Sequence, residues 1–324
     1  MPERRSLLLN VRKFYNLTFV NIPVEQRAVE VPVYYFLWEN VMGVMTEGKI
    51  TDINELKKIA KNVRINILHM LTLAGSGHTG GSLSAVDVAV AIYFSRMKFN
   101  PADPSWEERD RFVLSKGHAA PLIYAVMAEA GYFREDAIKT LRKTGSPLQG
   151  HPCSAMLPGI EISTGSLGQG LSVANGMALG LRLDGNPARV YCIMGDGEVQ
   201  EGQVWEAAMT AAHYKIDNIC AVVDNNGLQI DGPVEKVMGI EPLRDKWAAF
   251  GWHVMDIDGH NMQEIIDALD EAETVKGRPS IIIARTTKGK GVSFFENKVE
   301  YHGVAPTREE FDRAVKEILD DRTS

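Results

Sequence analysis

Cysteine is scarce in this chain, and long apolar runs and a basic excess are missing; each shortage removes a class of protein. Only three cysteines occur in 324 residues, Cys153, Cys192 and Cys220, with no Cys-x-x-Cys pair. An odd count without paired spacing argues against a disulfide scaffold and fits a reducing compartment. Cys192 and Cys220 lie in apolar runs and read as small buried hydrophobes. No stretch reaches the roughly 20 uninterrupted apolar residues that a bilayer-spanning helix needs. Near the start, only Leu7 to Leu9 form an apolar run, too short for a signal sequence, and the run Val31 to Trp38 is broken by Glu39. No membrane association is expected, and the cytoplasm is the default location. A net charge of -7 lacks the basic face that duplex binding requires, so no nucleic-acid partner is expected. A phosphorylated substrate stays open, because a few local cations or a metal ion can override the mean charge.

What is present is an ordinary globular composition, 45% hydrophobic and 24% charged. Residues 1–45 differ from the rest: they are rich in aromatic and β-branched residues and show no sustained helical period. They read as an N-terminal extension upstream of a working start at Met45, the alternative being a short accessory segment with a strand or two. From Asn54 onward, Leu56, Ile59, Ala60, Val63, Ile67, Met70 and Leu71 recur at helical spacing, with Lys57, Lys58, Lys61 and Arg64 on the other side. This helix should stop at Gly75-Ser76-Gly77. Ser84 to Asp87 resembles a capping box opening a helix to Met97. Strands are expected at 111–115, 190–194, 219–223, 252–257 and 280–284, and helices at 119–132, 203–214 and 262–275. Apolar strands separated by helices mean a parallel sheet flanked by helices, an α/β fold, placed here as one domain over residues 46–324 without a linker or repeat.

In such a sheet, ligands sit at the carboxyl ends of the strands. There the sequence places Gly195-Asp196-Gly197 and, after the next strand, Asp224-Asn225-Asn226-Gly227-Leu228, with Asn226 30 residues beyond Asp196. One βαβ step brings these two strand ends side by side. A carboxylate, an amide oxygen and a carbonyl are hard ligands suited to Mg²⁺, which shares its shell with phosphate oxygens and water. Taken singly, each stretch could be an ordinary turn.

Four of the eight histidines lie in loops beside glycine or proline: His78, His118, His151 and His302. Any one could be a solvated loop residue; four in the same setting suggest convergence on one pocket. No pair has zinc-ligand spacing. Imidazoles there can bind hydroxyls and phosphate oxygens and can move protons. His260 reads as part of a strand-to-helix turn, and His69 and His213 as packing. Lys288 and Lys290 could line the pocket mouth or belong to a solvated loop.

Gly-Asp-Gly followed about thirty residues later by Asn-Asn resembles the thiamine diphosphate-binding motif. The order of Ser76-Gly77-His78, Ser115-Lys116-Gly117-His118, Gly150-His151-Pro152, Gly165 to Gly170, Gly195-Asp196-Gly197 and His302-Gly303 is similar to that of transketolases over about residues 54 to 305. The resemblance implies a diphosphate-binding domain that uses thiamine diphosphate and Mg²⁺, with Asp196, Asn226 and the Leu228 carbonyl on the metal. It implies that His118 and His302 contact the diphosphate and that His78 and His151 contact the hydroxyls of a ketose donor. Gly165, Leu167, Gly195 and Gly197 would lie against the cofactor, His78 reaching it too. Glu201 resembles the acidic residue that links two cofactor sites. The implied catalytic set is His78, His151, His302 and Glu201.

The implied reaction moves a two-carbon ketol unit from a ketose phosphate to an aldose phosphate. The family also needs a pyrimidine-binding domain, and about twenty residues follow His302. The expectation is therefore a separate C-terminal subunit, an α₂β₂ assembly, and no activity without that partner. The rival readings are a subunit of a 2-oxoacid dehydrogenase, which shares Gly-Asp-Gly but does not predict the loop histidines, and a non-catalytic thiamine diphosphate-binding regulatory paralogue.

Overall fold

In a computed structural model the chain is described over residues 49–320. The expectations for residues 1–45 lie outside the described residues.

The first helix, α1 (Ile53–Ala74), follows its apolar period closely. Leu56, Ala60, Val63, Ile67, Met70 and Leu71 are all buried. Asp52 caps its start by accepting from the Asn54 N–H. Gly75 ends it at φ 62°, donating its N–H to the Leu71 carbonyl. The next expectation needs correction. Ser84 does not open a helix: it closes α2 (Thr79–Ser84), which is followed by α3 (Val86–Val90) and a π-helical turn, Ala91–Arg96. The Ser84 hydroxyl donates to Gly81 O and Asp224 Oδ2, and Asp87 pairs with Arg64, so both members of the supposed capping box have tertiary partners instead.

Strand β1 (Arg111–Leu114) leads through a 3₁₀ turn, Gly117–Ala119, into α4 (Ala120–Glu129). Helix α5 (Gln169–Leu183) precedes β2 (Val190–Gly195), and α6 (Gly202–His213) carries the chain to β3 (Ile219–Asn225). A small antiparallel pair, β4 (Leu228–Gln229) and β5 (Gly232–Pro233), leads into the short helices α7 (Val234–Met238) and α8 (Leu243–Ala249). After these come β6 (His253–Asp258), α9 (Met262–Thr274), β7 (Ser280–Arg285) and α10 (Arg308–Leu319).

The five long strands form one parallel sheet in the order β1-β2-β3-β7-β6. Period two divides their side chains between two cores. Tyr191, Ile193, Cys220, Val222, Ile282 and Ala284 face a cluster built with α1, α4 and α9. Val190, Cys192, Met194, Ile219, Ala221, Val223, Ile281 and Ile283 face a second cluster with α5, α6 and Trp247 of α8. Both buried faces explain why the strands read as unbroken apolar runs. The side-by-side placement expected for the two motif-bearing strands is present: Gly195 lies opposite Asp224.

Helix α5 escaped the sequence reading. Gly170, Gly176 and Gly180 lower its intrinsic helix propensity. Burial of Leu171, Ala174, Ala178 and Leu181, spaced three and four apart, overrides that preference.

Candidate active site

Four loops meet at the carboxyl edge of the sheet: those after β1, β2, β3 and β7, joined by the segment that leads into α2. Their assembly depends on close backbone approach. A Cβ on Gly117 would lie 2.6 Å from Gly165 N, so only glycine lets the His118 loop rest on the 164–165 backbone. Gly77 adopts φ 134°, and a Cβ there would meet Leu71 Cδ2 at 2.4 Å; this turn delivers His78. Thr79 Oγ1 donates to Val304 O at 2.6 Å, holding the His302 loop against α2.

Glu198 ties three of these segments together. Its Oε1 accepts from the Ser115 hydroxyl and from Gly168 N at 2.9 Å, while Oε2 accepts from Gly195 N at 3.1 Å. Asp224 does the same for another set. Its Oδ2 accepts from Lys116 Nζ, from Ser84 Oγ at 2.5 Å and from Asn226 Nδ2 at 3.1 Å, and its Oδ1 accepts from the Thr286 hydroxyl. Burial raises the pKa of Asp224, but Lys116 and these donors outweigh it and hold the carboxylate ionised. Neither Glu198 nor Asp224 stood out in the sequence, because each works on backbone and side chains that are distant along the chain.

His78, His118 and His302 form a triangle of rings with centroids 5.1, 5.5 and 5.4 Å apart. Burial first, and nearby cations after it (Arg142, Lys116 and Lys288), together lower all three, to about 4, 2 and 3 respectively. They are neutral imidazoles at physiological pH. Lys288 donates from Nζ to His302 Nδ1 at 2.7 Å, which leaves the proton of His302 on Nε2 as a donor. His78 Nδ1 is buried without a hydrogen-bond partner among the described residues. His151 lies beside this triangle and not within it: a Cβ on Gly165 would touch its ring at 2.9 Å, and burial followed by Arg142 lowers its pKa. Arg142 bridges the two regions, donating to Ser76 Oγ at 3.3 Å from a backbone held at φ 60°. A non-glycine residue at that φ is uncommon and belongs with sites where tertiary structure dictates the backbone.

The residues expected to ligate a metal are neighbours. Asp196 Oδ2 accepts from Gly227 N at 2.5 Å, and Oδ1 accepts from Gly197 N at 2.7 Å. Asn226 Oδ1 accepts from Leu228 N at 3.2 Å, and the Leu228 carbonyl accepts from Lys288 Nζ at 3.0 Å. Burial first, and Asp224 second, push Asp196 up to about 6; the Gly227 and Gly197 N–H groups and Lys116 offset only part of this. No group of three or more His, Cys, Asp or Glu side chains among the described residues could hold a metal alone. A single carboxylate with two neutral oxygens fits an ion that completes its shell from phosphate and water. Lys288 itself is buried, forms no ion pair among the described residues, and is lowered to about 8 by burial and by Lys116. Asp196 and Asp224 act on it only from a distance, and a buried cation with no carboxylate in direct contact is suited to an incoming anion. The sequence left Lys288 open between pocket and loop; the structure resolves it in favour of the pocket.

Two of the expected site residues fall outside this cluster. Glu201 is exposed at the N-cap of α6, its Cβ packed where a Cβ on Gly168 would come. Leu167 is half-buried in the turn before α5.

A parallel sheet with a polar, cationic pocket and a single-carboxylate oxygen cluster at its carboxyl edge defines a diphosphate-binding domain. Residues 55–320 match the family described as transketolase, thiamine diphosphate binding domain. The chain is 48% identical over 258 residues to the 6-deoxy-6-sulfo-D-fructose transketolase subunit SqwG of Clostridium sp. (strain MSTE9), covering 78% of this chain and 94% of that protein. It is 42% identical over 255 residues to one of the subunits of the apulose-4-phosphate transketolase of Phocaeicola vulgatus, covering 79% and 90%. A transketolase structure from Campylobacter jejuni superposes with a TM-score of 0.79 at 34% identity, covering 83% of this chain and 43% of that one. The chain belongs to the transketolase family, through its thiamine diphosphate-binding domain, and is a transketolase-type transferase.

Proposed function

We propose that this chain is the diphosphate-binding half of a split transketolase. It holds thiamine diphosphate with Mg²⁺ and works with a separate pyrimidine-binding subunit as an α₂β₂ assembly in the cytoplasm. The observation that carries the reading is the triangle of neutral histidines beside an unpaired buried Lys288, adjoining the Asp196, Asn226 and Leu228 oxygens. Two relatives that the chain covers over nine tenths or more of their length are themselves named as subunits, which supports the partner. No helix among the described residues is long and apolar enough to cross a membrane.

In this reading Asp196, Asn226 and the Leu228 carbonyl hold the metal, while His118, the Nε2–H of His302 and Lys288 hold phosphate oxygens. Gly195, Gly197, Gly165 and Leu167 border the cofactor. When bound, thiamine diphosphate supplies the electron sink for making and breaking the carbon–carbon bond. His78 and His151 hold the donor hydroxyls; as neutral imidazoles each donates a hydrogen bond from one ring nitrogen and can accept a hydrogen bond or a proton at the other. Glu201, exposed at the head of α6, is placed to meet a second subunit.

The donor is a phosphorylated or sulfonated ketose and the acceptor an aldose phosphate. The test is ketol transfer from xylulose 5-phosphate to ribose 5-phosphate, and from 6-deoxy-6-sulfofructose. The chain is assayed alone and mixed with a pyrimidine-domain subunit from the same genome. Turnover only in the mixture is the expected result. Turnover by the chain alone, or cofactor binding with no transfer from either donor in the mixture, would overturn the proposal.

A further inference from the structure

A second cavity, of about 660 Å³, lies away from the histidines, between α1, the turn from β6 to α9, and the loop after β7. Its volume is within the range of about 300–1,000 Å³ typical of small-molecule sites. One wall is a single helical stripe, Asn54, Lys57, Lys58, Lys61 and Arg64, at spacings of three and four. Lys290 faces it from the β7 loop.

Of the two acids that line the cavity, one is taken up by partners of its own. Asp87 is engaged by Arg64 at 2.6 Å and by His260 Nδ1 at 2.8 Å. His260 accepts at Nε2 from Thr287 N at 2.8 Å, which leaves Nδ1 to donate to Asp87. Asp258 accepts from His260 N at 2.9 Å. Lys290 lies 3.8 Å from Glu296, and Lys57 and Lys58 form no ion pair among the described residues. A chain of net charge -7 thus concentrates cations in one concave place.

We infer that this cavity is a binding site for a small phosphorylated polyol, such as a sugar bisphosphate, distinct from the thiamine diphosphate site. Lys57, Lys58 and Lys290 take the phosphates as point charges, while Asn54 and Asp258 offer partners for hydroxyls. No Phe, Tyr or Trp among the described residues lines the cavity, so nothing there stacks a nucleobase, and a sugar phosphate is favoured over a nucleotide. The two sites share one loop. Lys288 reaches His302, whereas Lys290, two residues on, faces the second cavity, and its carbonyl accepts from Arg64 Nε at 3.3 Å.

The test is calorimetric titration of fructose 1,6-bisphosphate into the full chain saturated with thiamine diphosphate and Mg²⁺. It is repeated for Lys57→Ala/Lys58→Ala, for His151→Ala, and with ADP as the titrant. Lys57 and Lys58 are exposed, so the double variant should fold, and its unchanged thiamine diphosphate affinity checks that it has. The expected result is saturable binding that weakens at least tenfold in the lysine variant, changes less than twofold in His151→Ala, and exceeds that of ADP. Absence of binding at millimolar ligand, loss in His151→Ala alone, or tighter binding of ADP would overturn the inference.

Discussion

Asp196 is the one carboxylate assigned to the metal, and its environment sets a pH signature. Burial and the adjacent Asp224 raise it from 3.8 to about 6. Between those values the folded, metal-free protein keeps a proton that the unfolded chain has lost, so this group makes folding less favourable as pH rises through that window. A cation reverses the preference. Mg²⁺ affinity should therefore be near its maximum above pH 7 and fall by about tenfold per unit below pH 6. Mg²⁺ titration followed by cofactor fluorescence quenching at pH 5 and 7 checks this; equal affinities would remove Asp196 from the metal site. Asp196→Ala should abolish Mg²⁺-dependent cofactor retention in the same assay. His151, outside the histidine triangle, carries the opposite expectation: His151→Ala should retain the cofactor and raise the KM for the ketose donor. Asp196 and all four loop histidines were singled out in the sequence by their glycine or proline neighbours, Asp196 also by its place after an apolar strand. Lys116, Glu198 and Asp224 were not, since their partners lie 83 and 108 residues away.

At the scale of elements, the site depends on loops pressed together backbone to backbone. Gly117→Ala would set a methyl 2.6 Å from both Gly165 N and Thr164 C, neither of which can rotate away. Overpacking of this kind costs about 1–3 kcal/mol, and displacement of the loop should also weaken cofactor binding. Urea unfolding together with cofactor titration measures both; wild-type values in each would show that the loops yield freely. Most elements were readable from periodicity, α1 and the five parallel strands above all. The Ser84 capping box failed because tertiary hydrogen bonds to Asp224 and Arg64 outcompeted a local cap. The α5 helix was hidden by its glycines, which burial against β2 tolerates.

For the whole molecule, binding to the folded state alone must raise stability. Thiamine diphosphate with Mg²⁺ at a hundred times its Kd should add about 2.7 kcal/mol, moving Tm upward by about 5 °C for a domain of this size. Scanning calorimetry with and without the pair measures the shift; no shift at saturating cofactor would mean that this chain does not hold the diphosphate by itself. The order of apolar strands and amphipathic helices determined the parallel α/β architecture, because period and burial are written locally in the chain. The Gly-Asp-Gly and Asn-Asn motifs likewise marked the polar ends of two strands that lie side by side. Only the tertiary structure decided that three of the four histidines share one pocket and that Lys288 belongs to it with no carboxylate in direct contact. It alone assembled the lysines of α1 and the β7 loop around a second cavity. Charge compensation and proximity are properties of folded space, and residues hundreds of positions apart acquire them only when the sheet brings their loops together.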